Sequence, residues 1–252
     1  MAEFERLEKF QELLAGVADM AFLPISADLE YLVRVPRDIP NYGAVMHPGA
    51  WLEGAWLTPK HEPVLALPRM TAEFGGLNQV EGIDVKVLGD WDNPAEMVKE
   101  IVARFDLPPQ PTVAISDLAA GETVVALHTL LPQAKFVSAT AMLRQMRVIK
   151  SEAEIDLMRR AGVITEAAYL AVCEKLQHGM TELDVVTEVD YQLRKHGSLG
   201  PSFTTSLYCS GPDHPLLFGK RQETWPRKLN PPVAILFDFG AIHQGFCYDF
   251  GR

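Results

Sequence analysis

Apolar residues in the first 140 positions alternate between helical and strand spacing. Helical spacing predicts three helices, at Phe4–Leu14, Pro94–Arg104 and Gly121–Leu131. Short apolar runs between them predict strands at Met20–Leu23, Val64–Leu67, Val85–Leu88, Val113–Ile115 and Phe136–Val137. Because strands separated by helices usually build a layered sheet, this part of the chain is expected to be an α/β domain.

A second pattern begins near Met142. The basic segment 143–150 is interpreted as a linker, and Ser151 with Glu154 then matches the capping box that opens a helix. After two helical patterns the spacing changes, and strands are predicted at residues 203–209, 233–239 and 246–250. We therefore expect an α/β domain over residues 1–141 and an α+β domain over residues 142–252.

Charge and composition exclude several classes of partner. The chain of 252 residues carries a formal net charge of −10, and such a surface repels the phosphates of nucleic acids. No apolar run approaches the roughly 20 residues that span a bilayer. The N-terminal residues are acidic and lack a signal-peptide pattern. We expect a cytoplasmic protein that binds neither nucleic acid nor membrane.

Residues 233–250 have the pattern of a β-hairpin that contains two aspartates, Asp238 and Asp249. If the loop is centred on His243 and Gln244, the two aspartates lie directly opposite each other on one face. Their Cβ atoms would then be about 4.5–5.5 Å apart. His243 would lie at the tip of the hairpin and face solvent.

Two carboxylates opposed on a sheet repel each other, so their charge requires compensation. A shared proton, a basic side chain such as Arg252, or metal ions would each provide it. An exposed, solvated pair of aspartates is the remaining alternative. Carboxylate oxygens suit divalent cations, and the spacing of Asp238 and Asp249 is therefore compatible with a metal site.

These residues resemble a known family. Residues 237–240 and 245–252 resemble the aspartate motif of the pita-bread metallopeptidases, and residues 147–155 and 200–205 resemble two further stretches of that domain. The family includes Xaa-Pro aminopeptidase, Xaa-Pro dipeptidase (prolidase), methionine aminopeptidase and the metal-free creatinase. The resemblance implies a creatinase-like N-terminal α/β domain, followed by the first half of an α+β pita-bread domain.

The resemblance also implies a function for particular residues. Asp238 and Asp249 are expected to bind two divalent ions (Mn, Co or Zn), together with a His and two Glu that would follow Arg252. His214 is the candidate catalytic residue that contacts the substrate. The full-length protein is expected to be a homodimer that hydrolyses Xaa-Pro bonds in proline-containing peptides, whereas the 252-residue chain alone is expected to be inactive.

Some positions depart from the family pattern. Gly251 stands where the family usually has Thr, and His214 lies farther from Asp238 than is usual. Asn230-Pro231-Pro232 replaces the usual Gly-Asp before the strand. Two alternatives therefore stay open, namely a non-catalytic pita-bread module that binds a peptide or protein, and a creatinase-like enzyme that is not a peptidase.

Overall fold

The computed structural model describes residues 5–39 and 48–252. Contacts divide the chain into two compact units that meet between Ile149 and Lys150. Phe4, which we expected in the first helix, lies outside the described residues. Among the helices that are described, none combines the length and the apolar character needed to cross a membrane.

Within the described residues, the first unit is built around a six-stranded sheet. Its strands are β1 (Met20–Pro24), β2 (Gly54–Leu57), β3 (Val64–Pro68), β4 (Asp84–Leu88), β5 (Thr112–Ile115) and β6 (Lys135–Ser138). Its helices are α1 (Glu5–Ala15), α2 (Ala27–Val33), α3 (Arg69–Phe74), α4 (Pro94–Ala103), α5 (Gly121–Leu130) and α6 (Thr140–Val148), and a 3-10 turn spans Ala50–Leu52. The strand order is β4-β3-β2-β1-β5-β6, with β2 antiparallel to both of its neighbours and the other pairs parallel.

Both faces of this sheet are covered by buried side chains. Successive residues of β1 alternate between two hydrophobic clusters, with Phe22 in one and Leu23 in the other. Phe22 packs against Trp56 of β2, with ring centroids 4.7 Å apart. Because a sheet buried on both faces needs apolar residues at consecutive positions, the short apolar runs of the sequence formed its central strands.

The boundary between the two units lies later in the chain than expected. Residues 143–150 were interpreted as a linker and Met142 as the start of the second unit, but α6 occupies most of this segment. Met142 and Met146 are buried in the first unit's core, and the Tyr31 hydroxyl donates a hydrogen bond to the Met146 carbonyl at 3.2 Å. These contacts place α6 in the first unit.

The second unit packs two long helices against a small antiparallel sheet. The helices are α7 (Glu152–Lys175), α8 (Glu182–Lys195) and the short α9 (Arg221–Thr224). The strands are β7 (Ser206–Ser210), β8 (Ala234–Phe239), β9 (Ile242–His243), β10 (Phe246–Cys247) and β11 (Phe250–Gly251). Strands β11, β8 and β7 form a three-stranded sheet in that order, and β9 pairs with β10 in the hairpin beyond it.

Local sequence signals fix the start of α7. Ser151 accepts a hydrogen bond from the Glu154 N–H, and the Glu154 carboxylate accepts one from the Ser151 N–H, which confirms the predicted capping box.

Farther along α7, Tyr169 packs against two rings of the sheet. Its centroid lies 5.4 Å from that of Phe237 and 5.2 Å from that of Phe250. One face of the three-stranded sheet is therefore covered by α7.

Glu53 gives the first unit a predicted dependence on pH. Its side chain is only 5% exposed, and its Oε1 atom has no hydrogen-bond partner among the described residues. Burial raises the pKa of Glu53 from 4.5 to about 7. The pKa of Glu53 is higher in the folded protein than in the unfolded chain. The contribution of Glu53 to the free energy of unfolding is therefore fully present below about pH 4.5 and is lost as the pH rises through 7.

We expect the Glu53→Gln variant to be more stable than the wild type at pH 8, by roughly 3 kcal/mol, and to differ little from it near pH 4.5. Urea denaturation between pH 4.5 and 8 measures this difference. The exposed Glu62 provides a control, since Glu62→Gln should leave the pH dependence unchanged. Parallel curves for wild type and Glu53→Gln would show that the Glu53 carboxyl titrates normally in the folded protein.

Candidate metal centre

The hairpin that carries the two aspartates has a different register from the expected one. Strands β8 and β11 pair so that Asp238 lies opposite Gly251. The same register places Asp249 opposite Gly240. The prediction that the two aspartates lie directly opposite each other is therefore wrong by two residues. They are diagonal neighbours, a position that separates Cβ atoms by about 7 Å in a regular sheet.

The position of the turn explains this register. His243 pairs with Phe246, which leaves Gln244 and Gly245 as the two turn residues. Their φ angles are 46° and 80°, and a two-residue hairpin turn of this kind needs positive φ at both positions. A loop centred on His243 and Gln244 would have excluded Gly245, the residue best suited to that conformation. His243 is accordingly a half-buried strand residue, which corrects the expectation that it faces solvent at the tip.

Both aspartates lie on the sheet face that α7 leaves uncovered. Phe239 is buried and packs on Phe250 at 5.4 Å, so the side chain of Asp238 points the other way. The Tyr248 ring lies against α7, where a Cβ added at Gly162 would be 3.0 Å from the ring. Since Tyr248 and Phe250 both point toward α7, the intervening Asp249 points away from it. The sequence prediction that the two aspartates share a face agrees with this arrangement.

Gly240 allows the two strands to approach closely beside Asp249. A Cβ at this position would lie 1.7 Å from the Tyr248 carbonyl oxygen, so no other residue fits without a backbone shift. Ser202 stabilises this close approach through two hydrogen bonds. Its N–H donates to the Gly240 carbonyl at 2.9 Å, and its hydroxyl donates to the Tyr248 carbonyl at 2.8 Å. These contacts fix the backbone that carries Asp249.

The two carboxylates have no partner among the described residues. Asp238 is half-buried and Asp249 exposed, and neither makes a hydrogen bond or ion pair through its side chain. Arg252, a candidate counterion, hydrogen-bonds through its backbone to Phe237 and forms no ion pair with either aspartate. The compensation that two neighbouring carboxylates require is therefore not provided by a basic side chain of the described residues.

The donor set fits part of a divalent-metal site. Two carboxylates supply hard oxygen ligands of the kind that divalent cations prefer, and their diagonal placement suits two ions about 3.5–4 Å apart. Within residues 5–39 and 48–252, however, no three His, Cys, Asp or Glu side chains cluster so as to hold a metal ion. Asp238 and Asp249 could thus serve as two ligands of a larger set.

The side chains flanking Asp238 are small. Gly251 lies opposite it on β11, and Ser206 lies opposite it on β7, so both sides of the carboxylate remain open. The Ser206 hydroxyl accepts a hydrogen bond from Nη2 of Arg221 at 3.2 Å. Sequence analysis did not single out Arg221, because only the pairing of β7 with β8 brings it near Asp238.

His214 is not brought together with the aspartates. It follows the end of β7, where Ser210 pairs with Ala234. Ala234 itself lies four residues along β8 from Asp238, a separation of about 13 Å. Its side chain is 5% exposed, and its Nε2–H donates a hydrogen bond to the Lys228 carbonyl at 2.9 Å. The Nδ1 atom is buried without a hydrogen-bond partner in the described part of the chain. A substrate contact by His214 stays a prediction.

A buried ion pair lies beside Cys209 at the edge of the sheet. Glu182 is 1% exposed and accepts hydrogen bonds from Nη2 and Nε of Arg227, at 2.5 and 3.0 Å. Burial, with the charge of Glu182, raises the pKa of Cys209 to about 12. The thiol therefore stays protonated at neutral pH, which makes Cys209 unsuitable as a nucleophile.

Comparison with known proteins identifies relatives of this arrangement. Residues 156–252 match the family model described as Metallopeptidase family M24. The putative dipeptidase YkvY of Bacillus subtilis is 27% identical over 219 residues, covering 83% of this chain and 56% of that protein. An Xaa-Pro dipeptidase of Lactobacillus delbrueckii subsp. lactis is 27% identical over 193 residues, covering 76% and 51%. The chain thus spans about half the length of these curated relatives.

Solved structures show the same fold. A prolidase from Thermococcus sibiricus superposes with a TM-score of 0.82 at 18% identity, covering 100% of this chain and 65% of that one. A dipeptidase from Pyrococcus horikoshii gives a TM-score of 0.77 at 20% identity, covering 98% and 64%. The predicted fold class, an α/β domain followed by part of a pita-bread domain, is confirmed by this likeness.

Proposed function

We propose, from the match of residues 156–252 to the model of metallopeptidase family M24, that the full-length protein is a peptidase that hydrolyses Xaa-Pro bonds. Asp238 and Asp249 would be two of the ligands that hold a pair of divalent metal ions. The observation that carries this proposal is the placement, on one open sheet face, of two carboxylates without a side-chain partner in residues 5–39 and 48–252. The relatives named as Xaa-Pro dipeptidases support the substrate class.

In this proposal the sheet holds the negative charges of the two aspartates at a fixed separation. Asp238 and Asp249 supply four carboxylate oxygens, and the pairing of β8 with β11 fixes their separation before any ion arrives. Divalent ions bound there would polarise the substrate carbonyl and lower the pKa of a bound water. The small neighbours Ser206 and Gly251 leave space for a peptide to approach the carboxylates from the sheet face that α7 leaves uncovered.

The remaining ligands are proposed to lie outside the 252 residues. Two carboxylates cannot fill the coordination of two ions that take roughly six ligands each. An oxygen-rich donor set favours Mn²⁺ over metals that prefer thiolate or imidazole, so manganese is the ion we propose first, with cobalt and zinc as alternatives. His214 takes no part in the proposed metal site, because it follows the end of β7 that lies far from Asp238.

A direct assay tests the proposed function. The full-length protein, loaded with Mn²⁺, is expected to cleave Ala-Pro and to lose this activity when EDTA removes the metal. Ala-Ala is the matched substrate, and it should be cleaved much more slowly. A protein that binds Mn²⁺ but cleaves neither dipeptide would instead be the non-catalytic binding module considered above, and the peptidase proposal would have to be given up.

A further inference from the structure

Backbone hydrogen bonds between the two strands of the aspartate hairpin are interrupted beside Asp249. Phe237 and Arg252 exchange two backbone hydrogen bonds, at 2.7 and 3.0 Å. Such pairs recur at every second residue of an antiparallel ladder, so the observed register makes Ala241 and Tyr248 the next pair but one. The Tyr248 N–H does donate to the Ala241 carbonyl at 2.9 Å, but among the described residues the reciprocal bond is not formed. The Ala241 N–H and the Tyr248 carbonyl therefore need other partners.

Two side-chain hydroxyls provide these partners. The Ala241 N–H donates to Oγ1 of Thr165 at 3.0 Å, and the Ser202 hydroxyl donates to the Tyr248 carbonyl at 2.8 Å. The Thr165 hydroxyl donates its own proton to the Ala161 carbonyl at 2.8 Å, one turn earlier on α7. Because a hydroxyl has a single proton, this bond fixes the Thr165 oxygen as an acceptor for Ala241.

These bonds set the orientation of the peptide that joins Tyr248 to Asp249. In a regular ladder the Tyr248 carbonyl would point at the Ala241 N–H. Its oxygen instead lies over Gly240, 1.7 Å from the position that a Cβ would take there. The Tyr248 carbonyl and the Asp249 nitrogen belong to one rigid peptide plane, so the direction of this carbonyl also constrains the direction of the Asp249 side chain.

We propose that Thr165 is a positioning residue that orients the Asp249 carboxylate for metal binding. This role rests on the proposed metal site, in which Asp249 is one ligand. Thr165 and Ala241 are both fully buried, so water does not replace the hydroxyl as an acceptor. Without Thr165, the acceptor that an antiparallel pair supplies to Ala241 is the Tyr248 carbonyl. That carbonyl would have to leave Ser202, and the peptide that carries Asp249 would turn with it.

Another threonine of the second unit provides a matched control. The Thr187 hydroxyl donates to the Leu183 carbonyl at 2.8 Å, the same bond within a helix that Thr165 makes to Ala161. Thr187 is exposed on α8 and has no contact with the hairpin in the described part of the chain. Replacing it by valine therefore removes the bond within the helix and leaves the bond to Ala241 in place.

The test measures the affinity of the full-length protein for Mn²⁺ by calorimetry. Thr165→Val keeps the shape of the side chain and removes the hydroxyl. It should weaken Mn²⁺ binding by about 10- to 100-fold, as does the loss of other groups that orient a metal ligand. Thr165→Ser keeps the acceptor and should restore most of the affinity. Thr187→Val should bind Mn²⁺ as the wild type does.

A second variant tests the same peptide from the other strand. Ser202 is only half-buried, so Ser202→Ala should fold even if Thr165→Val does not. Its loss frees the Tyr248 carbonyl to turn back toward Ala241, and Mn²⁺ affinity should fall here too. Unchanged affinity in either folded variant would overturn the positioning role.

Stability and turnover are measured on the same proteins to separate the possible causes. Urea denaturation identifies the folded variants, and a lower midpoint with unchanged Mn²⁺ affinity would show that Thr165 only stabilises the fold. Calorimetry needs no substrate. A protein whose Mn²⁺ affinity depends on Thr165 but that cleaves no Ala-Pro would therefore refute the peptidase proposal and leave this one standing. A wild type that binds no Mn²⁺ would overturn both.

Discussion

Replacing Asp238 by alanine is expected to abolish both divalent-metal binding and Xaa-Pro cleavage in the full-length protein. Loss of a group that merely supports a metal ligand typically costs 10- to 100-fold, so loss of a ligand itself should exceed about 100-fold. The remaining carboxylate, Asp249, cannot hold both ions, because its two oxygens replace neither the lost donors nor the lost negative charge. Metal content by elemental analysis and kcat on Ala-Pro measure the two effects.

Two further variants make this result interpretable. Asp238→Asn keeps the size of the side chain and should lose metal nearly as completely as alanine, since the neutral amide binds divalent cations poorly. Asp213→Asn changes an exposed aspartate near the far end of β7 and should leave metal content and kcat unaltered. If Asp238→Ala retained the metal content of the wild type, Asp238 would not be a ligand.

The 252-residue chain by itself is expected to bind Mn²⁺ weakly and to have no measurable Xaa-Pro peptidase activity. Its two carboxylates offer at most four oxygen donors, whereas two divalent ions require roughly twelve. Water can fill the other positions but adds no chelate stabilisation. The aspartate face is also open to solvent, so the electrostatic stabilisation of a reacting carbonyl would be weak there.

This expectation is checked by assaying the 252-residue chain on Ala-Pro with added Mn²⁺ or Co²⁺, beside the full-length protein at equal concentration. Calorimetry with Mn²⁺ gives the affinity of the two carboxylates alone. Turnover by the short chain that approaches that of the longer protein would mean that Asp238 and Asp249 need no further ligands. The proposed coordination would then have to be abandoned.

The sequence predicted the elements of the second unit better than their register. Alternation placed both aspartates on the strand face away from Phe239 and Phe250, and this holds in the structure. The turn was placed one residue early, because periodicity alone does not distinguish a loop centred on His243 from one that uses Gly245. The conformational freedom of glycine was the signal that would have located the turn.

In the first unit, the burial of apolar side chains decided the structure of residues 140–148, where the local pattern of basic residues had suggested a linker. The basic residues 144, 147 and 150 suggested a linker, yet α6 forms because its other face supplies Met142, Leu143 and Met146 to a core assembled from distant residues. Arg147 extends this attachment, since its Nη1 lies 2.5 Å from Oδ1 of Asp28, 119 positions earlier in the chain. Such long-range contacts leave little local signal.

The same limit applies to the site. Nothing in the spacing of residues 206, 221 and 238 indicates that Ser206 pairs with Asp238 and also accepts a hydrogen bond from Arg221. His214 also depends on the fold. The family resemblance implies a substrate contact for it, which stays a prediction, and the turn after β7 buries its ring beside Lys228.

The central claim is that Asp238 and Asp249 together hold two divalent ions. A crystal structure of the full-length protein grown with Mn²⁺ tests it directly through the anomalous scattering of the metal. We expect two anomalous peaks about 3.5–4 Å apart, with carboxylate oxygens of Asp238 and Asp249 within about 2.3 Å of them. Well-ordered carboxylates of Asp238 and Asp249 without any anomalous peak beside them would contradict the claim.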